Sequence, residues 1–127
     1  MIFESGSQLV TIGNFAFLGS GLSGSISLPA SLTSIGGSAY AECSSSFSVS
    51  FESGSQLTTI GNYAFWKSDL SGSITLPASL RSIGIKAFYQ CSNLTTVSFE
   101  SQLETIGDNI FQNSGLSTFT APQSVLD

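Results

Sequence analysis

The chain has 127 residues, of which 3 are Lys or Arg, 8 are Asp or Glu and none is His. This length fits one domain, and the formal net charge of −5 argues against binding to nucleic acid or an anionic membrane, because both draw on clustered Lys and Arg. Apolar residues make up 41% of the sequence and charged residues only 9%, which excludes the composition of a disordered chain.

The N-terminal residues, Met1–Gly6, have neither the basic region nor the apolar core of a secretory signal. No later stretch approaches the run of about 18 apolar residues that a membrane-spanning helix needs, so we expect no insertion into a membrane. The sequence predicts that residues 1–127 form a single domain.

A short apolar pattern begins at Leu9 and recurs along the chain. It reads Leu-x-x-Ile-Gly-x-x-Ala-Phe, with Tyr40 and Ile110 as the two variations in the last two places. The units are 23 or 25 residues long, and a longer motif that starts at Phe3 and Phe51 gives a second period of 48. The five units start at Leu9, Leu32, Leu57, Leu80 and Leu103. Such repetition predicts a repeat architecture.

A second block in each unit alternates apolar and polar residues, which is the period of a strand with one buried face. Parallel pairing of each strand with its copy in the next coil, about 4.8 Å away, satisfies this pattern. The Gly after each Ile suits either a positive φ or a close backbone approach. The Ala-Phe pair is then expected in a short turn or helical segment with its Phe inward. The apolar pairs are Ile26 and Leu28, Val49 and Phe51, Ile74 and Leu76, Val97 and Phe99, and Phe119 and Ala121.

These units predict a solenoid, in which stacking of neighbouring coils supplies the stability that one coil lacks. The pattern Leu-x-x-Ile-Gly-x-x-Ala-Phe-x-x-Cys, followed by an Ile-x-Leu-Pro strand, resembles the BspA-like leucine-rich repeats of microbial surface antigens. Leu80–Phe99 matches best, with Cys91 in the family's cysteine position; the equivalent residues in the other full matches of the pattern are Ser20, Ser68 and Ser114.

The resemblance implies a leucine-rich-repeat solenoid: a right-handed superhelix of about five coils of 23–25 residues, with a parallel β-ladder on one side and short turns or helical segments on the other. It also implies a secreted or cell-surface parent protein of the adhesin type. Neither end of the chain carries a polar cap, so we expect a segment of a longer array, or end-to-end self-association through uncapped coils.

Catalytic and metal-binding arrangements are missing from the sequence. Without His, neither a Ser-His-Asp nor a Cys-His arrangement can form, and the usual Cys/His metal patterns are unavailable. We therefore expect no enzyme activity, no metal and no cofactor. Cys43 and Cys91 occupy equivalent places two coils apart, roughly twice 4.8 Å, which exceeds the reach of a disulfide. Both are expected to be free, mostly buried thiols.

Variable residues beside the inward Phe form the candidate binding surface. They flank this Phe on its turn and are expected to point outward, with Trp66 and Tyr89 on adjacent coils and Tyr63 beside Lys86. Exposed aromatic residues next to lysines have the composition of a protein-binding hot spot; partial burial against neighbouring coils is the alternative. The candidates are Phe15, Leu18, Tyr63, Trp66, Lys67, Lys86 and Tyr89.

A ladder of hydroxyl groups is expected along the strands. It could bind a glycan or a partner protein, or consist only of solvent-facing strand residues. It also resembles ice-binding faces, although those favour threonine throughout. Its members are Ser25 and Ser27, Ser48 and Ser50, Ser73 and Thr75, Thr96 and Ser98, and Thr118 and Thr120.

The sequence therefore favours a non-enzymatic leucine-rich-repeat module that binds a protein or a surface glycan. The alternative is a structural array or spacer without a specific partner.

Overall fold

The computed structural model describes residues 7–100, 103–116 and 118–120. Phe3, Ala121 and both chain ends therefore lie outside the described residues. Two kinds of strand alternate along the chain, a two-residue strand and a longer one. The strands are β1 (Thr11–Ile12), β2 (Gly24–Leu28), β3 (Ser34–Ile35), β4 (Phe47–Phe51), β5 (Thr59–Ile60), β6 (Gly72–Leu76), β7 (Ser82–Ile83), β8 (Leu94–Phe99), β9 (Thr105–Ile106) and β10 (Thr118–Thr120).

The two-residue strands form a five-stranded parallel sheet in the order β1-β3-β5-β7-β9. Ile12, Ile35 and Ile60 pair in register, and the ladder continues through the Ile of the next two units. Each coil of the chain thus lies directly on its neighbour, as a solenoid requires. The sequence pattern did not predict this ladder as strands, because two residues are too few to display the period-2 alternation.

The longer strands confirm the predicted parallel ladder, with one interruption. β2 pairs with β4, and β6 pairs with β8, which also pairs with β10. One isolated bridge joins Phe47, at the start of β4, to Leu70, which precedes β6; the two residues are 23 apart. The corresponding apolar residues Val49 and Ile74 are 25 apart, and this two-residue mismatch breaks the ladder. The strand pairing that carries the hydroxyl groups is therefore interrupted between the second and third coils.

Turns occupy the other side of each coil, and the described residues contain no helix there. Backbone bonds still connect the coils through these turns: Phe17 N–H donates to Ala39 O at 2.7 Å, and Phe65 N–H donates to Ala87 O at 2.7 Å. Two positions in each of these turns have positive φ. They are Phe15 and Gly19, Ser38 and Glu42, Tyr63 and Lys67, Lys86 and Gln90, and Asn109 and Asn113.

From the second unit onward, the Gly after each Ile serves close approach rather than a positive φ. A Cβ built on Gly61 would lie 2.6 Å from Gly37 N and 2.8 Å from Gly36 C, and Gly36 is equally crowded by the preceding coil. Real Cβ atoms do not come this near to backbone, so glycine is required where two coils touch. At Gly13, in the first coil, an added Cβ would meet nothing within 4 Å.

Inward side chains stack in columns that run along the solenoid axis. The aromatic column comprises Phe17, Tyr40, Phe65, Phe88 and Phe111, with ring centroids of neighbours 5.1–5.5 Å apart. The prediction of inward Phe side chains is confirmed for Phe65 and Phe88, which are fully buried. Tyr40 is also fully buried, and its hydroxyl has no hydrogen-bond partner.

The described residues make about four turns with repeats about 23 residues apart, slightly fewer than the five coils expected from the sequence. The fifth unit is only partly described. The leucine-rich-repeat solenoid itself is confirmed.

We predict that Gly61→Ala lowers the free energy of unfolding by about 2 kcal/mol or more, because the methyl group would force two coil backbones apart. Gly13→Ala is the matched control and should change it by no more than about 0.5 kcal/mol. Urea denaturation of the three proteins measures both values. Equal stability of the two variants would contradict the close-contact explanation.

We predict that Tyr40→Phe raises the free energy of unfolding by about 1–3 kcal/mol, because it removes a buried hydroxyl that lacks a partner and keeps the stacked ring. Tyr63→Phe, at an exposed tyrosine, serves as the control and should leave stability nearly unchanged. Thermal and urea denaturation measure both changes. A marked loss of stability in Tyr40→Phe would mean that the hydroxyl is paired in solution.

Candidate functional site

An open groove of about 640 Å³ lies on the turn side of the solenoid and extends over the second, third and fourth coils. We call it the aromatic groove. It is lined by Ser38, Tyr63, Trp66, Lys67, Lys86, Tyr89 and Gln90.

The repeated turns place these side chains. Tyr63 and Lys86 hold the first positive-φ position of their coils, and Lys67 and Gln90 hold the second. Because every described coil has positive φ at these places, the conformation belongs to the coil itself and is no sign of local strain at a site. Because the coils stack in register, Tyr63 lies beside Lys86 and Lys67 lies beside Gln90 in adjacent coils.

Hydrogen bonds fix the two turns that carry the groove against each other. Tyr63 N–H donates to Ile85 O at 2.9 Å, and Lys67 N–H donates to Tyr89 O at 2.9 Å. Asn62 adds a side-chain bond, since its Oδ1 accepts from Ile85 N–H at 2.8 Å. The backbone under the groove is therefore engaged in contacts between coils.

Aromatic rings and ammonium groups contact one another in the groove. The Tyr63 and Trp66 rings meet edge to face, with centroids 5.9 Å apart and planes at 74°. Lys67 Nζ lies 4.9 Å from the Trp66 centroid and Lys86 Nζ lies 5.1 Å from the Tyr89 centroid. Such cation–π contacts contribute about 0.5–1 kcal/mol each at exposed sites, enough to favour these side-chain positions.

The groove contains two of the three cationic side chains of the whole chain. The third, Arg81, lies elsewhere and pairs with Glu104 at 3.6 Å. Among the described residues, Lys67 and Lys86 have no such carboxylate partner. Within the described part of a chain with a net charge of −5, the cationic side chains that lack a carboxylate partner thus lie in one place, beside three aromatic rings.

Five of the seven residues predicted for the binding surface line this groove: Tyr63, Trp66, Lys67, Lys86 and Tyr89. Tyr63 and Lys67 are exposed, whereas Trp66, Lys86 and Tyr89 are half-buried. The expected exposure therefore applies to two of these side chains, and the alternative, partial burial, applies to the other three. That these residues bind a partner stays a prediction.

The other two candidates lie apart from the groove. Phe15 is 62% exposed and lines a neighbouring shallow depression, which also contains Ser38 and Tyr63. Leu18 is 45% exposed and does not line the groove. Both belong to the first coil, and the second coil offers only the small side chains of Ser38 and Ala41 between them and Trp66. Ala41 is fully buried.

Sequence reasoning missed Gln90 as a groove residue. Its Oε1 is buried and has no hydrogen-bond partner. The signal was available, because Gln90 stands four residues after Lys86, just as Lys67 stands four residues after Tyr63. What could not be read from the sequence is the burial of an unpaired acceptor next to the lysines.

The thiols offer no nucleophile for chemistry. Cys43 and Cys91 are free and fully buried, as predicted. Cys91 Sγ donates to Phe65 O at 2.9 Å. Burial raises the pKa of the Cys91 thiol to about 11, against the opposing effect of hydrogen bonds from Ser68. A thiol with a raised pKa is protonated and unreactive at neutral pH.

The part of the chain that the structure describes holds no group of three or more Cys, Asp or Glu side chains that could share a metal ion. Within the same residues, no helix has the length and apolar character needed to cross a membrane.

Comparison with known proteins identifies the family. The profile of the BspA type leucine-rich repeat region matches residues 10–127 with six copies. The chain belongs to this family. The resemblance of the repeat pattern is thereby confirmed over nearly the whole chain.

A solved structure supports the same fold. The chain is similar to the crystal structure of the pneumococcal vaccine antigen PcpA, with 27% sequence identity and a TM-score of 0.64. The match covers 79% of this chain and 31% of the PcpA chain, so this BspA-type chain spans about a third of that protein's length. No curated protein matches the sequence significantly.

We predict that the stability of the Tyr40→Phe protein falls as pH rises from 9 to 11, because native Cys91 keeps its proton while the unfolded thiol releases it. The contribution of this thiol is at most about 1.4 kcal/mol per pH unit. Using Tyr40→Phe as the parent removes the Tyr40 hydroxyl, whose pKa is also raised by burial and which would otherwise add its own pH dependence.

The control is Cys91→Ser in the same parent, since serine already fills the equivalent place at Ser68. Urea denaturation from pH 8 to 11 should show a smaller decline in the serine variant. Identical declines in the two proteins would contradict the assignment to Cys91.

Proposed function

We propose that this BspA-type leucine-rich-repeat chain is a non-enzymatic binding module of a secreted or cell-surface protein, and that it binds through the aromatic groove. The observation that carries the proposal is the grouping of three aromatic rings and two unpaired lysines on a solenoid that is otherwise poor in charge. Binding interfaces are enriched in Tyr and Trp relative to other surfaces.

The rigidity of the site supports this role. The turns under the groove are fixed by backbone bonds between coils and by the Asn62 side chain. The Lys67 and Lys86 side chains are held over rings. A ligand therefore meets side chains that lose little conformational freedom on binding, which lowers the entropic cost of association.

An extracellular location agrees with the family and with the use of PcpA as a vaccine antigen. More specifically, we propose an adhesin-like role. It would bring the chain's groove into contact with a protein or glycan on another cell.

A structural spacer is the alternative, because a solenoid can separate other domains without binding anything. The regular hydroxyl strands suit either role. The groove favours binding, since a spacer has no need for half-buried Trp66 beside two lysines without carboxylate partners.

We predict that the fluorescently labelled chain binds to the surface of at least some cultured epithelial or microbial cells. Trp66→Ala or Tyr89→Ala should weaken this binding about tenfold, the loss of one hot-spot side chain. Flow cytometry against increasing protein concentration measures the change.

Val10→Ala is the control, because Val10 is 52% exposed and lies outside the groove. Circular dichroism should show that all variants are folded. A spacer would bind no cell more than labelled albumin does, and binding that survives both groove substitutions would place the binding surface elsewhere.

A further inference from the structure

The aromatic groove has charge complementarity to an anion. Lys67 and Lys86 come from adjacent coils and both line it, and neither has a carboxylate partner among the described residues. The rest of the molecule carries a net negative charge, so an anionic ligand is attracted to this place and repelled elsewhere.

The groove also contains an acceptor that needs a donor. Gln90 Oε1 is buried and unpaired, and leaving such an atom without a partner is costly. Rotation of the Gln90 side chain toward the groove brings this oxygen to the surface, where a hydroxyl or N–H group of a ligand satisfies it. The required ligand therefore combines a negative charge with a hydrogen-bond donor.

The aromatic side chains add a third requirement. Tyr63 is exposed, and Trp66 and Tyr89 are half-exposed. Their rings can receive a flat apolar surface at low entropic cost. The volume of about 640 Å³ lies within the range of sites for small ligands rather than for a folded partner.

Three backbone N–H groups of the groove are unavailable for recognition. The N–H groups of Tyr63, Lys67 and Gln90 donate to carbonyls of the next coil. An extended peptide is normally held by main-chain bonds to a sheet edge, and the groove offers none at these positions. Recognition must come from side chains, which suits a saccharide better than an acidic peptide.

We propose that the aromatic groove binds an acidic sugar unit, a sialic acid or a hexuronate. Its carboxylate lies between the Lys67 and Lys86 ammonium groups, one hydroxyl donates to Gln90 Oε1, and a C–H face of the ring packs on the aromatic side chains. This inference rests on the proposed binding function and names its ligand class.

The test uses Trp66, the only tryptophan of the chain, as a fluorescent reporter. The probes are 3′-sialyllactose, a hyaluronan tetrasaccharide, neutral lactose, and a glutamate-rich hexapeptide. At least one acidic saccharide should bind saturably, with Kd in the range of about 0.1–1 mM typical of a shallow site. Lactose should bind at least about tenfold more weakly. Isothermal titration calorimetry provides a second readout.

Three variants test the assigned contacts. Lys67→Gln and Lys86→Gln should each weaken binding of the acidic saccharide about tenfold, as expected for a charge-assisted hydrogen bond. Gln90→Leu should weaken it by a similar factor, because leucine keeps the bulk and removes the acceptor. Arg81→Gln removes the remaining cation outside the groove and should leave affinity unchanged.

The outcomes separate the two proposals. Equal binding of lactose and 3′-sialyllactose, or equal loss in Arg81→Gln and Lys67→Gln, would overturn the acidic-sugar assignment. Binding of the hexapeptide alone would also overturn it, while a groove-dependent interaction with cells would leave the proposed function standing. Failure of every probe together with absence of cell binding would overturn both.

Discussion

Close contact between successive coil backbones is the constraint on which this structure depends. At Gly61 there is no room for a Cβ against the preceding coil, and this contact lies directly between a short strand and the turn that follows it. Because the coils touch there, backbone hydrogen bonds can form between coils in the turns as well as in the strands. The solenoid is therefore held by an almost continuous backbone ladder around each coil.

This stacking also converts sequence spacing into spatial columns. Residues at the same place in successive units lie above one another. Tyr63 is therefore stacked next to Lys86, and Lys67 next to Gln90, each pair in adjacent coils of the groove. The buried side forms columns of rings and of small Ser and Cys residues. A surface made in this way can change one side chain per coil without changing its backbone, which is the property a binding module needs.

Two features depart from the regular repeat: the Tyr40 hydroxyl in the column of rings and the interruption of the long-strand ladder. Tyr40 introduces a hydroxyl into a column of Phe rings and leaves it unpaired, while Cys91 fits its column because its thiol donates to Phe65 O. The two-residue mismatch between the second and third coils interrupts the long-strand ladder, although the short-strand ladder continues through it. The groove lies across the second to fourth coils, on the side where the turns remain in register.

The sequence by itself determined the repeat, the parallel stacking, the inward apolar columns and the free thiols, because a repeated pattern dictates equivalent positions for equivalent residues. It also located five of the groove residues, since equivalent places in successive units lie on the same side of the solenoid. Only the tertiary structure decided which use each Gly serves, that Phe15 and Leu18 stay apart from Trp66, and that Gln90 Oε1 is buried without a partner. These features depend on distances between coils and on the size of the side chains that separate them, which a one-dimensional pattern does not contain.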